Sequence, residues 1–239
     1  LDGSTQYGIH TLPDGGFRRA QISFVVEFNP ATEHDDGNVH TIFCTTAQQC
    51  QVQKINTNHL RISLGGTVIH NIDAATYGAY WVVGQRNVVV VAGDADANLT
   101  NAWLNGHQIL TNDSTAWAPQ LNTQIWTGCI HTTSFRYAGE VNSISIHGCL
   151  MDGDDAQAIY DGTLFDYPQR ADLWLDCSTA IIDGSNDRTL DKSRHGRDFL
   201  LGDGAGVDTP AFLNPGFDTA GGKNFRNLNA SGLFAGVEQ

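Results

Sequence analysis

Two loops carry acidic and amide side chains at alternate positions, a spacing that could hold a metal ion. Residues 93–98 (GDADAN) offer Asp94, Asp96 and Asn98, and residues 183–187 (DGSND) offer Asp183 and Asp187. Hard oxygen donors on flexible loops suit Ca²⁺, so calcium is the one cofactor that the sequence indicates. The stronger interpretation is an ordinary turn at each place, because Asp and Asn side chains bond their own backbone.

Aromatic rings beside polar loops are a second kind of candidate site, since an exposed ring can serve as a platform for a sugar. Trp117 lies in the polar stretch DSTAWAP, and Trp126 and Tyr137 follow it. The alternative is that these rings fill the core, because Trp is highly buried on average. We predict carbohydrate contacts for Trp117, Trp126 and Tyr137, with Trp117 exposed, and we place Trp103 in the core.

Glycoside hydrolysis would need two carboxylates about 5–10 Å apart across the bond to be cleaved. Glutamate is scarce and occurs at four positions: Glu27, Glu33, Glu140 and Glu238. The chain also lacks the G-x-S-x-G motif of a nucleophilic serine. We therefore predict no catalytic residue, and a glycan hydrolase or lyase is the least favoured alternative.

The composition excludes some partners. A formal net charge of −13 argues against nucleic-acid binding, because neutralising phosphates requires clustered Lys and Arg. No apolar run approaches the ~20 residues that span a bilayer, so no membrane span is expected. The five cysteines are interpreted first as small buried hydrophobic residues. The alternative is a disulfide between Cys44 and Cys50, which enclose a short loop.

The elements that position these side chains are predicted to be strands. They cover residues 21–28, 40–44, 59–69, 87–92, 100–110 and 139–148. Asn105-Gly106 suits a type I′ hairpin turn, and Gly65-Gly66 suits a second hairpin. Residues 139–148 alternate apolar and polar side chains except at one out-of-step position. Residues 152–160 form the one predicted helix, with acidic residues in its first turn, where the helix dipole favours them.

Several motifs resemble the concanavalin-like and laminin-G-like jelly rolls, in the family's own order. Residues 87–91 (NVVVV) and 102–106 (AWLNG) resemble the family's H-V-A-V-V strand and L-Y-V-N-G hairpin. Residues 139–146 (GEVNSISI) resemble its G-x-I-D-x-V-x-I-Y strand, and residues 1–7 (LDGSTQY) resemble F-D-G-S-D-D-Y-V. The resemblance implies an all-β, jelly-roll antiparallel β-sandwich over residues 1–166. Hydrolases of this fold usually carry E-x-D-x-x-E on one strand, and the chain has no such run.

The C-terminal segment, residues 167–239, departs from the family order. Residues 173–176 (LWLD) resemble the family's first strand, and residues 191–198 (DKSRHGRD) resemble the turn that follows it. We therefore predict that this loop-rich segment completes the sandwich in a permuted arrangement or packs on a neighbouring chain. The predicted contacts of a homo-oligomer are four phenylalanines: Phe212, Phe217, Phe225 and Phe234.

Modules of this resemblance occur in phage tail fibres, head decoration proteins and bacterial adhesins. The resemblance implies a non-enzymatic structural or attachment module on a virion surface, as a capsid decoration or tail fibre protein. Its partners would be other virion or surface proteins. The alternative is a carbohydrate-binding adhesin domain of a bacterial surface protein, which would bind glycans at an extracellular or cell surface.

Overall fold

The computed structural model describes residues 7–12, 16–46, 48–66, 68–130, 135–164, 167–181, 188–192 and 199–201. The strands in these ranges are β1 (Gly8–Thr11), β2 (Gln21–Pro30), β3 (His40–Thr45), β4 (Cys50–Lys54), β5 (His59–Leu64), β6 (Val68–Asp73), β7 (Asn87–Asp94), β8 (Leu99–Leu104), β9 (His107–Asp113), β10 (Gln124–Thr127), β11 (Gly139–His147), β12 (Leu173–Ile181), β13 (Arg188–Asp191) and β14 (Phe199–Leu201). The helices are α1 (Ala74–Tyr77) and α2 (Gly153–Tyr160), with 3-10 turns at Gly78–Tyr80 and Tyr167–Arg170. None of these helices has the length and apolarity that a membrane crossing requires.

The strands pair antiparallel in the order β6-β5-β4-β3-β10-β1-β14-β13-β12-β11-β2-β7-β8-β9. This arrangement folds into two facing layers. We call β12, β11, β2, β7, β8 and β9 the helix sheet, and β6, β5, β4, β3, β10 and β1 the back sheet. Side chains of both layers meet in one hydrophobic core, which includes Phe24 and Val91 from the first and Val52 and Ile62 from the second. The antiparallel β-sandwich predicted from the sequence is confirmed.

The apolar run of β7 is explained by cover on both of its faces. Val89 and Val91 belong to the core between the sheets. Val88 and Val90 lie in a second cluster with Ala156 of α2. Because successive side chains of a strand point to opposite faces, a strand between a core and a helix must be apolar at every position. α2 therefore packs on the outer face of the helix sheet.

Both hairpin predictions are confirmed. Asn105 and Gly106 have φ values of +52° and +79°, as a type I′ turn between β8 and β9 requires. Gly65 and Gly66, with φ values of +64° and +78°, follow β5 in the second hairpin. The Asn105 side chain also fixes this end of the sheet, because its Oδ1 accepts from the Val88 backbone N–H at 2.7 Å.

The out-of-step position in the alternating stretch is a β-bulge. Val141 of β11 pairs with Phe28 of β2, and the next pair is Ser143 with Glu27, so Asn142 is an extra residue. The alternation therefore changes phase at Asn142 and continues correctly to Ile146. The predicted helix is confirmed as α2, with Asp152 as its N-cap in a capping box.

The C-terminal strands join the two sheets at one side. β12 pairs with β11, β13 pairs with β12, and β14 pairs with β1. The strand that resembles the family's opening strand, β12, therefore lies in the same chain's sheet, with β13 and β14 between it and β1 in the hydrogen-bonding order. Permutation, and a boundary between residues 166 and 167, stay predictions.

Candidate functional site

The first candidate site is a cleft of about 350 Å³ on the outer face of the helix sheet, beside the start of α2. We call it the Trp103 cleft, and its lining includes Leu99, Asn101, Trp103, Gln108, Asn112 and Leu150. Because alternate residues of a strand share a face, Leu99, Asn101 and Trp103 of β8 point outward together. The volume falls at the lower end of the range for small-molecule sites.

Irregular pairing in β9 brings amide groups onto Asn101. The register of β9 against β8 shifts twice between Thr100 and Trp103, and bulges of this kind re-aim side chains. Oδ1 of Asn101 accepts from the Asn112 backbone N–H at 2.7 Å and from Nε2 of Gln108 at 3.1 Å. Among the described residues, Nδ2 of Asn101 and Oε1 of Gln108 have no hydrogen-bond partner. The cleft therefore presents a free donor and a free acceptor, held in place.

Trp103 forms the floor of this cleft. Its side chain is 6% exposed and packs with α2, which confirms the prediction that Trp103 belongs to a core. A Cβ on Gly153 would lie 3.3 Å from Nε1 of Trp103, so the first turn of α2 lies directly against the indole. Leu150, 42% exposed, adds an apolar wall. The cap at Asp152 stabilises this rim of the cleft.

A second cleft of about 350 Å³ lies on the same sheet face, beside the end of α2. We call it the Trp174 cleft, and its lining includes Glu27, Arg86, Ser143, Tyr167, Trp174 and Asp176. Ser143 of β11 pairs with Glu27 on one side and with Asp176 on the other. Paired residues of antiparallel strands share a face, so two carboxylates flank one hydroxyl across three strands.

An ion pair in the lining of the Trp174 cleft ties the end of α2 to the sheet. The Arg86 guanidinium donates to both oxygens of Glu27, at 3.0 and 3.1 Å, and to the carbonyls of Tyr160 and Ile159, at 2.8 and 3.1 Å. The Tyr167 hydroxyl also donates to Glu27, at 2.6 Å. Burial, together with the Glu27 carboxylate, raises the pKa of Tyr167, so its hydroxyl stays a donor. We call this set the α2 clamp.

The three aromatic residues predicted to contact carbohydrate are buried, so the predicted exposure of Trp117 is wrong, while their contacts with a sugar stay a prediction. Trp117 is 5% exposed, because Gly65 and Gly93 leave room for its indole at the rim of the core. Trp126 is 8% exposed beneath the stacked ring of Tyr7. Tyr137 has no exposed surface and packs edge-on to Phe28 and His40.

The loop at residues 93–98 is a turn that uses its own carboxylate. Oδ1 of Asp94 accepts from the backbone N–H groups of Asp96 and Ala97, at 2.9 and 3.0 Å. These bonds, the one from Ala97 foremost, lower the pKa of Asp94. Asn98 has φ +51°, as a turn residue often does. Within the described ranges, no group of three or more His, Cys, Asp or Glu side chains is placed to hold a metal ion.

Calcium at this loop stays a prediction, which calorimetric titration with calcium chloride tests. The second predicted loop, with Asp183 and Asp187, lies outside the described residues, as do Phe212, Phe217, Phe225 and Phe234. All five cysteines are free thiols in the structure, Cys44 and Cys50 included.

The sequence interpretation missed the amides of the Trp103 cleft. A signal was present, since Asn101, Trp103 and Gln108 share the outward phase of the predicted hairpin at residues 100–110. The alternation at residues 100–110 could not predict the two register shifts that bring Asn112 next to Asn101. It also could not predict that α2 lies against the Trp103 indole.

The chain has matches among solved structures but none among protein-family models or curated proteins. A candidate carbohydrate-binding protein of Bacteroides ovatus is 11% identical, with a TM-score of 0.59 over 83% of this chain and 56% of that chain. The receptor binding domain of botulinum neurotoxin mosaic serotype C/D is 13% identical, with a TM-score of 0.53 over 80% of this chain and 49% of that chain.

A third match is the ligand binding domain of botulinum neurotoxin serotype D, solved in complex with N-acetylneuraminic acid. It is 12% identical, with a TM-score of 0.50 over 79% of this chain and 49% of that chain. This chain spans about half the length of these three solved chains. At such low identity the matches establish architecture alone. With the strand order described above, they identify the chain as a jelly-roll β-sandwich of the concanavalin A-like fold.

Proposed function

We propose that this chain is a non-catalytic carbohydrate-binding module whose sugar seat is the Trp103 cleft. The observation that carries the proposal is the set of amide groups fixed above an aromatic floor. Asn101 offers a donor and Gln108 an acceptor, and neither has another partner among the described residues. A sugar hydroxyl both donates and accepts, so it can satisfy both groups at once.

The arrangement lowers the entropy cost of binding. Asn101 is already held by two hydrogen bonds before any ligand arrives, so few side-chain rotations remain to be frozen. Leu150, 42% exposed, supplies most of the apolar surface that the C–H face of a sugar ring can contact, and Trp103, 6% exposed, adds the small part of its ring that lines the cleft. The free amides are uncharged, and the carboxylates of Asp94 and Asp152 also line the cleft, so the expected ligand is a sugar unit without negative charge.

The Trp174 cleft supports the non-catalytic part of the proposal. Glu27 and Asp176 flank Ser143, as the two carboxylates of a hydrolytic pair would flank a bond. Both oxygens of Glu27, however, already accept hydrogen bonds from Arg86, and one also accepts from Tyr167. Three of the roughly four acceptor positions of the Glu27 carboxylate are therefore engaged, which disfavours its use as the general acid or base that hydrolysis requires.

The solved structures add support of a general kind. One match is a candidate carbohydrate-binding protein, and another was solved with a bound acidic sugar. We infer an extracellular or surface location, where glycans are found. Attachment to a virion, and assembly with copies of this chain or with other virion or surface proteins, stay proposals that rest on the sequence resemblance.

A glycan array followed by calorimetry tests the proposal. Asn101→Ala removes the free donor and releases Gln108 and Asn112, so we expect a loss of ~1–2 kcal/mol, or about 5- to 30-fold in affinity. Asn71→Ala is the matched control, because Asn71 is an exposed amide on the back sheet that also accepts a side-chain hydrogen bond, from Arg61 at 3.1 Å. Equal losses in both variants, or a loss only in the control, would refute the site.

A further inference from the structure

We propose that the Trp174 cleft is a second, independent saccharide seat, which makes the chain bivalent. The inference rests on the proposed function and adds a site to it. Its first support is position. The two clefts lie on one face of one sheet, at opposite ends of α2: Gly153 lines the first and Ile159 lines the second.

The second support is the chemistry of the lining. Ser143 and Asn142 contribute a hydroxyl and an amide, and Nδ2 of Asn142 donates to Asn29 at 3.1 Å. That bond orients the Asn142 carbonyl oxygen as a further acceptor. Asp176 adds a carboxylate, and hydrogen bonds to charged groups are the stronger ones. Leu164 adds an apolar wall.

The third support is the exposure of Trp174. Trp103 is covered by the first turn of α2, whereas Trp174 lies on the outer face of β12 and is only half-buried. The Lys192 ammonium lies 5.6 Å from the centre of the Trp174 ring and also donates to Asp176. This cation holds the indole and the carboxylate in a fixed relation beside the cleft.

The geometry also indicates how a ligand would use both seats. The cleft centres lie over β8 and β11, three strands apart in the pairing order, which is roughly 14 Å at the usual strand spacing. α2 stands between them, and a helix with its side chains is ~10 Å across. Because α2 blocks the straight path between the two seats, we expect them to take separate chains or separate branches. Binding of a multivalent surface would then gain avidity.

Calorimetry with maltotriose, lactose and N,N′-diacetylchitobiose tests the inference through the stoichiometry. We expect two sites per chain for at least one of these probes, falling to one in Trp174→Ala and, separately, in Asn101→Ala. Ser143→Gln is the second cleft variant, because it fills the space without removing a packed ring. Near-ultraviolet circular dichroism identifies any variant that has lost its fold.

The outcomes separate the two proposals. One site per chain, lost in Asn101→Ala and unchanged in Ser143→Gln and Trp174→Ala, would overturn the second seat and leave the proposed function intact. One site that is lost only in the Trp174 cleft variants would overturn the Trp103 cleft and bivalency together. No heat with any of the three probes would count against both proposals.

Discussion

The α2 clamp is expected to stabilise the fold and both clefts, and Arg86→Met tests it. Methionine keeps the aliphatic stem and removes the guanidinium. The substitution deletes two hydrogen bonds to Glu27 and two to carbonyls at the end of α2. Among the clamp residues, the Glu27 carboxylate then keeps only the hydrogen bond from Tyr167, although its side chain is just 17% exposed.

The magnitude follows from the partial burial of the pair. Breaking a fully buried ion pair costs about 3–5 kcal/mol, while exposed pairs contribute ~0–1 kcal/mol. The Arg86 side chain is 38% exposed, so solvent screens part of the interaction. We expect a loss of about 2 kcal/mol in the free energy of unfolding. For a chain of this length that corresponds to a fall in Tm of roughly 4–8 °C.

Differential scanning calorimetry measures this effect, with Arg61→Met as the control. Arg61 also donates two side-chain hydrogen bonds, to Asn71 and Gln53, but to no carboxylate. We expect the control to lower Tm by less than half as much. A fall in Tm for Arg86→Met no larger than that of the control would refute the clamp. A double-mutant cycle with Glu27→Gln then isolates the pair, and it should show coupling of ~1 kcal/mol or more.

Three further predictions concern stability and reactivity. Burial lowers the pKa of His147 to about 4, although the nearby Asp172 carboxylate acts in the opposite direction. As the pH falls from about 6.5 to 4, the unfolded chain takes up the proton before the folded chain does, so up to ~3 kcal/mol of the free energy of unfolding should be lost. Urea melts should show a weaker pH dependence in His147→Gln. Asn105→Ala should cost ~3 kcal/mol, because Ala disfavours φ +52° and the buried Val88 N–H loses its acceptor; Asn105→Gly, the control in urea melts, should cost less. With Ellman's reagent, the exposed Cys149 should react first in the folded protein; denatured protein should give five thiols, whereas a count of three, restored to five by reduction, would show one disulfide.

Local patterns in the sequence were sufficient for much of the architecture. Asn105-Gly106 predicted its hairpin because few other dipeptides adopt two positive φ values, and the continuous apolar run of β7 predicted a strand covered on both faces. The acidic start of α2 predicted a helix that Asp152 caps. In each case the determining physics lies within a few residues of chain.

The site could not be predicted in the same way, because it depends on contacts distant in sequence. Trp117 lies in a polar stretch and was expected to be exposed, but glycines from two different sheets make room for it in the core. Trp103 was correctly placed in a core, yet its role as a cleft floor depends on α2, about fifty residues later. Arg86 carries no motif, and its clamp joins strand, loop and helix.

Bulges account for the remaining error. The extra residue at Asn142 changes which side chains of β11 face outward, and the double shift in β9 determines which amides meet Asn101. A bulge is fixed by the fit of two strands across the sheet. In the sequence of one strand, a bulge is visible only as an interruption of the apolar–polar alternation. That interruption does not predict which side chains point outward beyond the bulge.

The binding of a saccharide in the Trp103 cleft is tested most directly by nuclear magnetic resonance. The chain has five tryptophans, so the indole N–H signals are few, and Trp103→Phe assigns the relevant one. During titration with lactose or maltotriose, we predict shifts of the Trp103 indole and of the Asn101, Gln108 and Asn112 amides, with the Asn71 amide unmoved. Shifts confined to Asn71 and Arg61 would place the ligand on the back sheet and contradict the account.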